Sequence, residues 1–503
     1  MFLMVSIGML LFISFGVYIR LRPLWTNPTL GVDHWYWLLC AEDVRKRRSL
    51  PPKLPYFMLE IEEQWYPPLF AGLLAFLPMR WLRNHGGILS QMIDLLHGLM
   101  IFFAVFWFSH SLIIAFLSGL SYLIAWFPMS YNTQLQPRGL ANLLLTLLVM
   151  LLWFYIDTGS RIIWGGVLIL SVLLLFIHKM TVQMWVVYLL GLGLWTWDWR
   201  IPALLPASVL LAIIVSKGFY IKMLKAHWDI VSFWHKNIKD LGSHQYYESP
   251  LYQKAGFSST AFHQRGLRYA MGRLLTLFRY NVFILFLPLL ICYALYHSQG
   301  RLESYLWGWL GFTYLWALLT TFLPHLKALG AGEYYLYQSF YPLFLLSAVV
   351  VPKLSVPSQW LFLTLWGLAL FLSGSLWEKR VGSIFIHSRN QAQKDLQSVL
   401  NYLKELPKDG VFCIPFTLPD ITAYWTRKRV FWGGHSYGFN ALLKPYFPVM
   451  RERVLETLIN KPLNYVLFWT RYLDSLEDIG LRVGRDLKFL FAKGEYELYE
   501  ILK

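Results

Sequence analysis

Along most of its length the chain alternates long apolar runs with short polar breaks, and the runs have membrane-crossing length. A helix crossing a bilayer core needs about 17–25 mainly apolar residues. The first such run covers 2–19. Others follow near 88–108, 111–130, 138–156, 162–178, 180–196, 201–217, 274–296, 304–323, 334–351 and 358–376, which predicts about eleven transmembrane helices. Pro137, Pro202, Pro352 and Pro357 fall at or beside run ends, where a missing N–H costs little. The run 66–78 is too short to cross and reads as a re-entrant or interfacial helix. The first run has neither a basic leader nor a small-residue cleavage motif, so it reads as a retained span.

After 376 the pattern changes. An amphipathic helix is expected over 388–406, stopped by Pro407 and the turn Lys408-Asp409-Gly410. Short strands are expected at 411–416, 429–432, 464–469 and 495–501, with a helix over Pro419–Thr426. The fold class is therefore an α-helical polytopic membrane domain over 1–376, carrying a small C-terminal soluble α/β domain over 377–503. An odd number of spans puts the two long loops, 20–87 and 218–273, on the same side as that domain. Nine Lys and Arg in the first loop and eight in the second do not orient the protein, because the positive-inside rule applies to short loops. No internal repeat is visible.

Composition supports the membrane reading. Hydrophobic residues make up 57% of the chain and charged ones only 15%. The 24 Trp and 30 Tyr suit a protein with two interfaces to anchor. A formal charge of +17 in so apolar a chain points to lipid or lipid phosphate rather than nucleic acid. Cys40, Cys292 and Cys413 match no metal or disulfide spacing.

Candidate chemistry gathers beside the spans. The first long loop opens with Gly31-Val32-Asp33-His34-Trp35-Tyr36-Trp37 and continues through Glu60-Ile61-Glu62-Glu63-Gln64 to Trp65-Tyr66-Pro67-Pro68-Leu69. An acid just beyond a span, among aromatic rings, can take a proton from an incoming hydroxyl or amine. It can also bind a divalent metal such as Mg or Mn through oxygen, or be a solvated loop acid. In the eleven-span topology Gln136-Pro137-Arg138-Gly139, His178-Lys179, Lys327 and Glu333-Tyr334-Tyr335 emerge on that same side. Each taken alone reads equally as a helix-end anchor whose side chain snorkels to water. Together the cations would ring one surface, as a phosphate leaving group requires. Asp94 and His97 lie three apart on one face of a span, either as functional groups at membrane depth or as a satisfied polar pair. Arg45-Lys46-Arg47-Arg48 reads as a lipid-headgroup contact. Gly434-His435-Ser436-Tyr437-Gly438 has the spacing of an esterase elbow, but no histidine follows it to complete a triad. A tight turn presenting His435 is the better reading.

An acid after the first span, a loop ending in Tyr66-Pro67-Pro68-Leu69, and spans opening at Arg138-Gly139-Leu140 and Glu333-Tyr334-Tyr335 together resemble the GT-C glycosyltransferases. The nearest likeness is to the branch of the protein O-mannosyltransferases and the aminoarabinose transferase of lipid A, and it covers about residues 1–376. The resemblance implies that the first loop faces the periplasm or lumen, and that Asp33 is the catalytic acid-derived base. It implies that Arg138, Lys179 and Lys327 hold the phosphate of a polyprenyl-phosphate sugar, in a protein of the bacterial cytoplasmic membrane. Asp33-His34 stands where the family often has Asp-Glu, so a second acid or supporting group has to come from His34, Glu60, Glu62, Glu63, Asp94, His178, Glu333 or Tyr334. The metal-binding Asp-x-Asp of oligosaccharyltransferase relatives is not visible. Sugar transfer from a lipid-phosphate donor is thus the expected function. A lipid-linked saccharide flippase, or a polysaccharide polymerase or ligase, is the alternative. A flippase would more naturally show inverted repeats.

Overall fold

The computed structural model describes residues 2–25, 31, 33–236, 267–379, 389–415, 417–433, 454–472 and 475–502. The chain forms two compact units that do not follow chain order. One comprises Met1–Leu30, His85–Lys217 and Ala270–Ile386; the other comprises Gly31–Asn84, Gly218–Tyr269 and His387–Lys503. The helix Met79–Ser109 is broken at His85, whose backbone leaves the helical region (φ −139°, ψ 17°), and the division between units falls there.

The first unit is helical and apolar. Five helices among the described residues are long and apolar enough to cross a membrane, or seven if each of two bent helix pairs is one span. Leu112–Ile124 and Arg161–Leu175 are apolar but shorter. The expected count of eleven is therefore not reproduced by length and composition. The expected run 201–217 holds only the twelve-residue helix Leu204–Val215. The run 274–296 is not one helix: Leu267–Tyr280 and Val282–Tyr296 meet at a 98° bend. The side chain of Asn281 accepts a hydrogen bond from Phe283 N at 3.1 Å there and starts the second segment. The run 334–351 begins as a 3₁₀ helix, Gly332–Ser339, before turning α-helical at Phe340–Val350.

Packing in this unit relies on polar side chains tying apolar helices together, as expected where lipid offers no hydrophobic drive between helices. Trp366 Nε1 donates to Ser121 Oγ (2.7 Å), Ser373 Oγ to the Ile124 carbonyl (3.1 Å) and Tyr188 Oη meets Thr313 Oγ1 at 2.7 Å. Gly332 lies so close to the helix Arg301–Phe322 that a Cβ would fall 2.0 Å from the Ala317 carbonyl oxygen. Only glycine fits that approach.

The second unit contains a four-stranded sheet in the order β1-β2-β4-β3, with β1 Val411–Ile414, β2 Tyr465–Trp469, β3 Leu487–Lys493 and β4 Tyr496–Ile501. β1 and β2 are parallel, while β4 runs antiparallel to β2 and β3. The helices Arg389–Glu405 and Pro419–Thr426 stand where the sequence places them. Of the expected strand 429–432 only a bridge at Val430 forms, and its partners include Phe57 of the first loop. Val430 N donates to the Tyr56 carbonyl (2.7 Å) and Met58 N to the Val430 carbonyl (2.9 Å). The Arg427–Glu42 ion pair (2.6 Å) and Trp35 packed on Tyr424 (5.3 Å) add to this joint. The expected helix within 66–78 is the seven-residue Leu69–Ala75, far short of a span.

Candidate functional site

Two helices of the first unit begin at one recess. Pro137 stands at the N-cap of Arg138–Thr158, and His178 at the N-cap of Lys179–Thr196. Proline cannot continue a helix backwards, and the extended His178 (φ −156°, ψ 126°) turns the chain between two apolar runs. Neither cap residue gives a side-chain cap hydrogen bond to the first-turn amides. Helix N-termini carry partial positive charge and unsatisfied N–H groups, which makes them ready anion sites. Tyr131, Arg138, Asn142, His178, Thr181 and Tyr334 line the recess they share.

The side chains around it are held from outside. The Arg138 guanidinium lies over the Tyr131 ring, 4.6 Å from its centroid, and Tyr131 stacks on Tyr334 at 5.5 Å with planes 27° apart. His178 Nδ1 is 3.2 Å from Thr181 Oγ1. Gln338 Nε2 donates to Asn142 Oδ1 at 2.9 Å, and Thr146 Oγ1 to Gln338 Oε1 at 3.3 Å. Tyr335 donates to Gln183 Oε1 (2.5 Å). Of the expected residues, Arg138, His178 and Tyr334 come together here, with Lys179 as the first residue of its helix.

Glu333 forms an ion pair with Arg273 at 2.6 Å, with both side chains largely buried. Lys327 lies buried in the 3₁₀ turn Pro324–Leu329. Burial, and then the nearby Arg273 charge, hold its ammonium below the usual lysine range. Sequence reasoning did not single out Arg273 or Tyr131. Neither sits in a recognisable motif, and Tyr131 reaches Arg138 across an irregular turn that has no period to detect.

Asp94 is not a recess residue. It is fully buried in the membrane unit, paired with Arg20 at 2.8 Å. His97, on the same helix, packs its ring against Tyr122 and Tyr337 at 5.1 and 5.7 Å.

The loop acids belong to the second unit. Asp33 is the first residue of the helix Asp33–Arg47, where the helix dipole favours a carboxylate. His34 is wholly buried, with Nε2 3.3 Å from the Arg83 carbonyl and Trp35 edge-on at 4.8 Å. Burial, only partly offset by that hydrogen bond, lowers its pKa to about 4. It is a neutral imidazole at pH 7 and does not replace a second acid. Glu63 accepts from Lys222 Nζ (2.7 Å) and Trp65 Nε1 (3.0 Å). Burial opposes its ionisation, but those two donors outweigh it and its pKa falls below the usual range. The Lys222 contact ties Glu63 to the helix Phe219–Lys236. Glu62 is exposed and uses its carbonyl to hold Leu54 N at 2.7 Å. Burial above all, with the nearby Glu60 charge as a smaller contribution, raises the pKa of the Tyr36 phenol. His435 and Ser436 lie outside the described residues. Among the described residues no three His, Cys, Asp or Glu side chains converge as metal ligands.

No protein-family model matches the chain, and no curated protein does. Solved structures do. ArnT of Cupriavidus metallidurans, crystallised with undecaprenyl phosphate, superposes with a TM-score of 0.55 at 10% identity, over 98% of this chain and 97% of its own. The oligosaccharyltransferase of Archaeoglobus fulgidus, in complex with zinc and sulfate, gives 0.55 at 11% identity, over 91% of this chain and 67% of its own. The same enzyme tethered to an acceptor peptide gives 0.51 at 11% identity, over 91% and 68%. End-to-end coverage of ArnT excludes a match confined to a few hydrophobic helices, and the chain has the fold of the GT-C glycosyltransferases.

Proposed function

We propose that the protein transfers a sugar from a polyprenyl-phosphate donor to an acceptor on the outer face of a bacterial cytoplasmic membrane. The observation that carries the reading is the recess where Arg138 and two helix N-termini without side-chain caps converge in the membrane unit. Its chemistry fits a phosphate, and a GT-C neighbour was crystallised with undecaprenyl phosphate. In this reading Arg138 and Lys179 hold the donor phosphate and Lys327 adds its charge. The acceptor O–H or N–H gives its proton to the Asp33 carboxylate as the acceptor atom attacks the anomeric carbon. The bond from that carbon to the phosphate oxygen breaks, and polyprenyl phosphate leaves with the electron pair. The cations stabilise the charge that develops on the phosphate. The domain 377–503 then faces the same outer side and is available to the acceptor.

The test uses purified protein in lipid with a donor labelled in its sugar, scoring glycosidic bond formation separately from movement of intact donor between leaflets. Transfer to an acceptor supports the reading. Movement with no bond formed would replace it with a flippase.

A further inference from the structure

The unit that holds the recess also holds a buried charged cluster that the reaction does not use. Asp94 Oδ2 pairs with Arg20 Nη2 at 2.8 Å, and both side chains are fully buried. The other carboxylate oxygen accepts from two phenols, Tyr122 at 2.5 Å and Tyr337 more closely still. Each phenol has one proton and spends it on Asp94. The Tyr337 oxygen is then left to accept, and Asn132 Nδ2 donates to it at 3.1 Å. Asn132 adjoins Tyr131 in the chain, and its Oδ1 packs so close to Gly139 that a Cβ there would meet it at 2.9 Å. Gly139 adjoins Arg138. A second line leads to the same place: Gln91 Nε2 holds the Met129 carbonyl at 2.9 Å, Ser90 Oγ holds Gln136 N at 3.3 Å, and Gln136 Nε2 holds the Tyr131 carbonyl.

Tyr337 also belongs to the 3₁₀ helix Gly332–Ser339. With three residues per turn, Tyr334 and Tyr337 share one face, so fixing Tyr337 fixes the rotation of Tyr334. We infer that Tyr337, held by Asp94 and Arg20, is a positioning residue that sets Tyr131, Tyr334 and Arg138 in the geometry that receives a phosphate. The inference rests on the donor-phosphate reading of the recess. Stability alone is a poor reason for such a cluster, because a buried ion pair is often no better than apolar packing of the same volume. What it supplies is one arrangement instead of several.

The probe is undecaprenyl phosphate, with undecaprenol as the uncharged control, bound to the full protein in lipid nanodiscs. Tyr337→Phe keeps the ring and removes the hydroxyl that joins Asp94 to Asn132. It should weaken phosphate-lipid binding by about five- to tenfold, the scale of one or two hydrogen bonds, and leave undecaprenol binding unchanged. The melting temperature should fall by no more than about 2–4 °C. The pair Arg20→Met with Asp94→Leu separates positioning from support. It should recover stability through apolar packing yet keep the binding defect, whereas wild-type affinity in that pair would overturn the inference. Arg138→Gln runs in parallel. If it weakens binding while Tyr337→Phe binds as wild type, positioning by Tyr337 is wrong and the donor reading stands. If Arg138→Gln itself binds phosphate lipid normally, both fall.

Discussion

Arg138→Gln gives the donor reading its hardest test, because the surroundings of that residue separate three energies. The first belongs to the protein without ligand. The guanidinium lies 4.6 Å from the Tyr131 centroid, so the substitution removes a cation–π contact worth about 0.5–1 kcal/mol. That is small against a membrane unit with an extensive buried core, and folded protein should persist. The second energy is ground-state binding. A charge-assisted hydrogen bond to phosphate contributes about 1.5–3 kcal/mol, so donor affinity should fall about 10- to 150-fold. The third belongs to the transition state. Charge on the phosphate grows as the sugar leaves, and removing one pre-organised donor from such charge typically costs about 10²-fold or more in kcat. The defect in kcat/KM should therefore exceed the binding defect. Arg138→Lys keeps the charge but not the planar fork and should fall between wild type and glutamine. Lys179→Gln combined with Arg138→Gln should cost less than the two single losses multiplied, since both would serve one phosphate. The assay is single-turnover transfer from a labelled polyprenyl-phosphate sugar in nanodiscs, with equilibrium binding measured on the same preparations. Unchanged kcat and affinity per folded molecule, with only a lower yield of folded protein, would refute the reasoning and leave Arg138 as a helix-end anchor.

Asp33→Asn keeps the shape of the side chain but cannot take a proton, so transfer should fall about 10²–10⁴-fold while donor binding survives, and wild-type turnover would remove Asp33 as the base. Buried His34 gives the second unit an acid sensitivity whose sign is set by its lowered pKa of about 4 against about 6.5 unfolded: the unfolded chain binds the extra proton in that window, so stability is full above about pH 6.5 and is lost as pH falls toward 4. The loss should amount to about 3 kcal/mol, and unfolding of His34→Gln followed from pH 7.5 to 4 should show a correspondingly shallower decline. Single cysteines at Ser49 and Ser398 should both react with a membrane-impermeant maleimide applied from outside, because the segments carrying them share one hydrogen-bonded unit. Labelling of one with protection of the other would break the topology.

Apolar run length reveals where helices are, because a bilayer imposes one scale on all of them, and local chemistry reveals where several begin. Pro137 before Arg138, and the polar break His178-Lys179, mark two helix starts in the sequence that the structure repeats. What run length hides is a break of one residue. Asn281 sits in an otherwise apolar run, and only its capping bond to Phe283 N shows that the helix stops there. Strand β3 carries little signal for a related reason: its register with β4 slips between Phe489 and Phe491, so the alternation that betrays a strand is lost midway. The joint between Tyr56 and Val430 has no local signal at all, since pairing across hundreds of residues leaves no period in either segment.

The buried cluster shows how the same limit bears on the site. Asp94 could be flagged from sequence, because a carboxylate in an apolar helix demands a partner. The partner could not be named, because Arg20 falls just beyond the first apolar run, at the opening of the loop 20–87, where nothing marks it as buried. Once the two are seen fully buried and 2.8 Å apart, the end of that run is part of the protein interior. The phenols of Tyr122 and Tyr337 then have a reason to point at Asp94, and Asn132 to point at Tyr337. A side chain that the run bounds leave at the start of the first loop thus becomes the far end of a line of polar contacts running to the residues around Arg138.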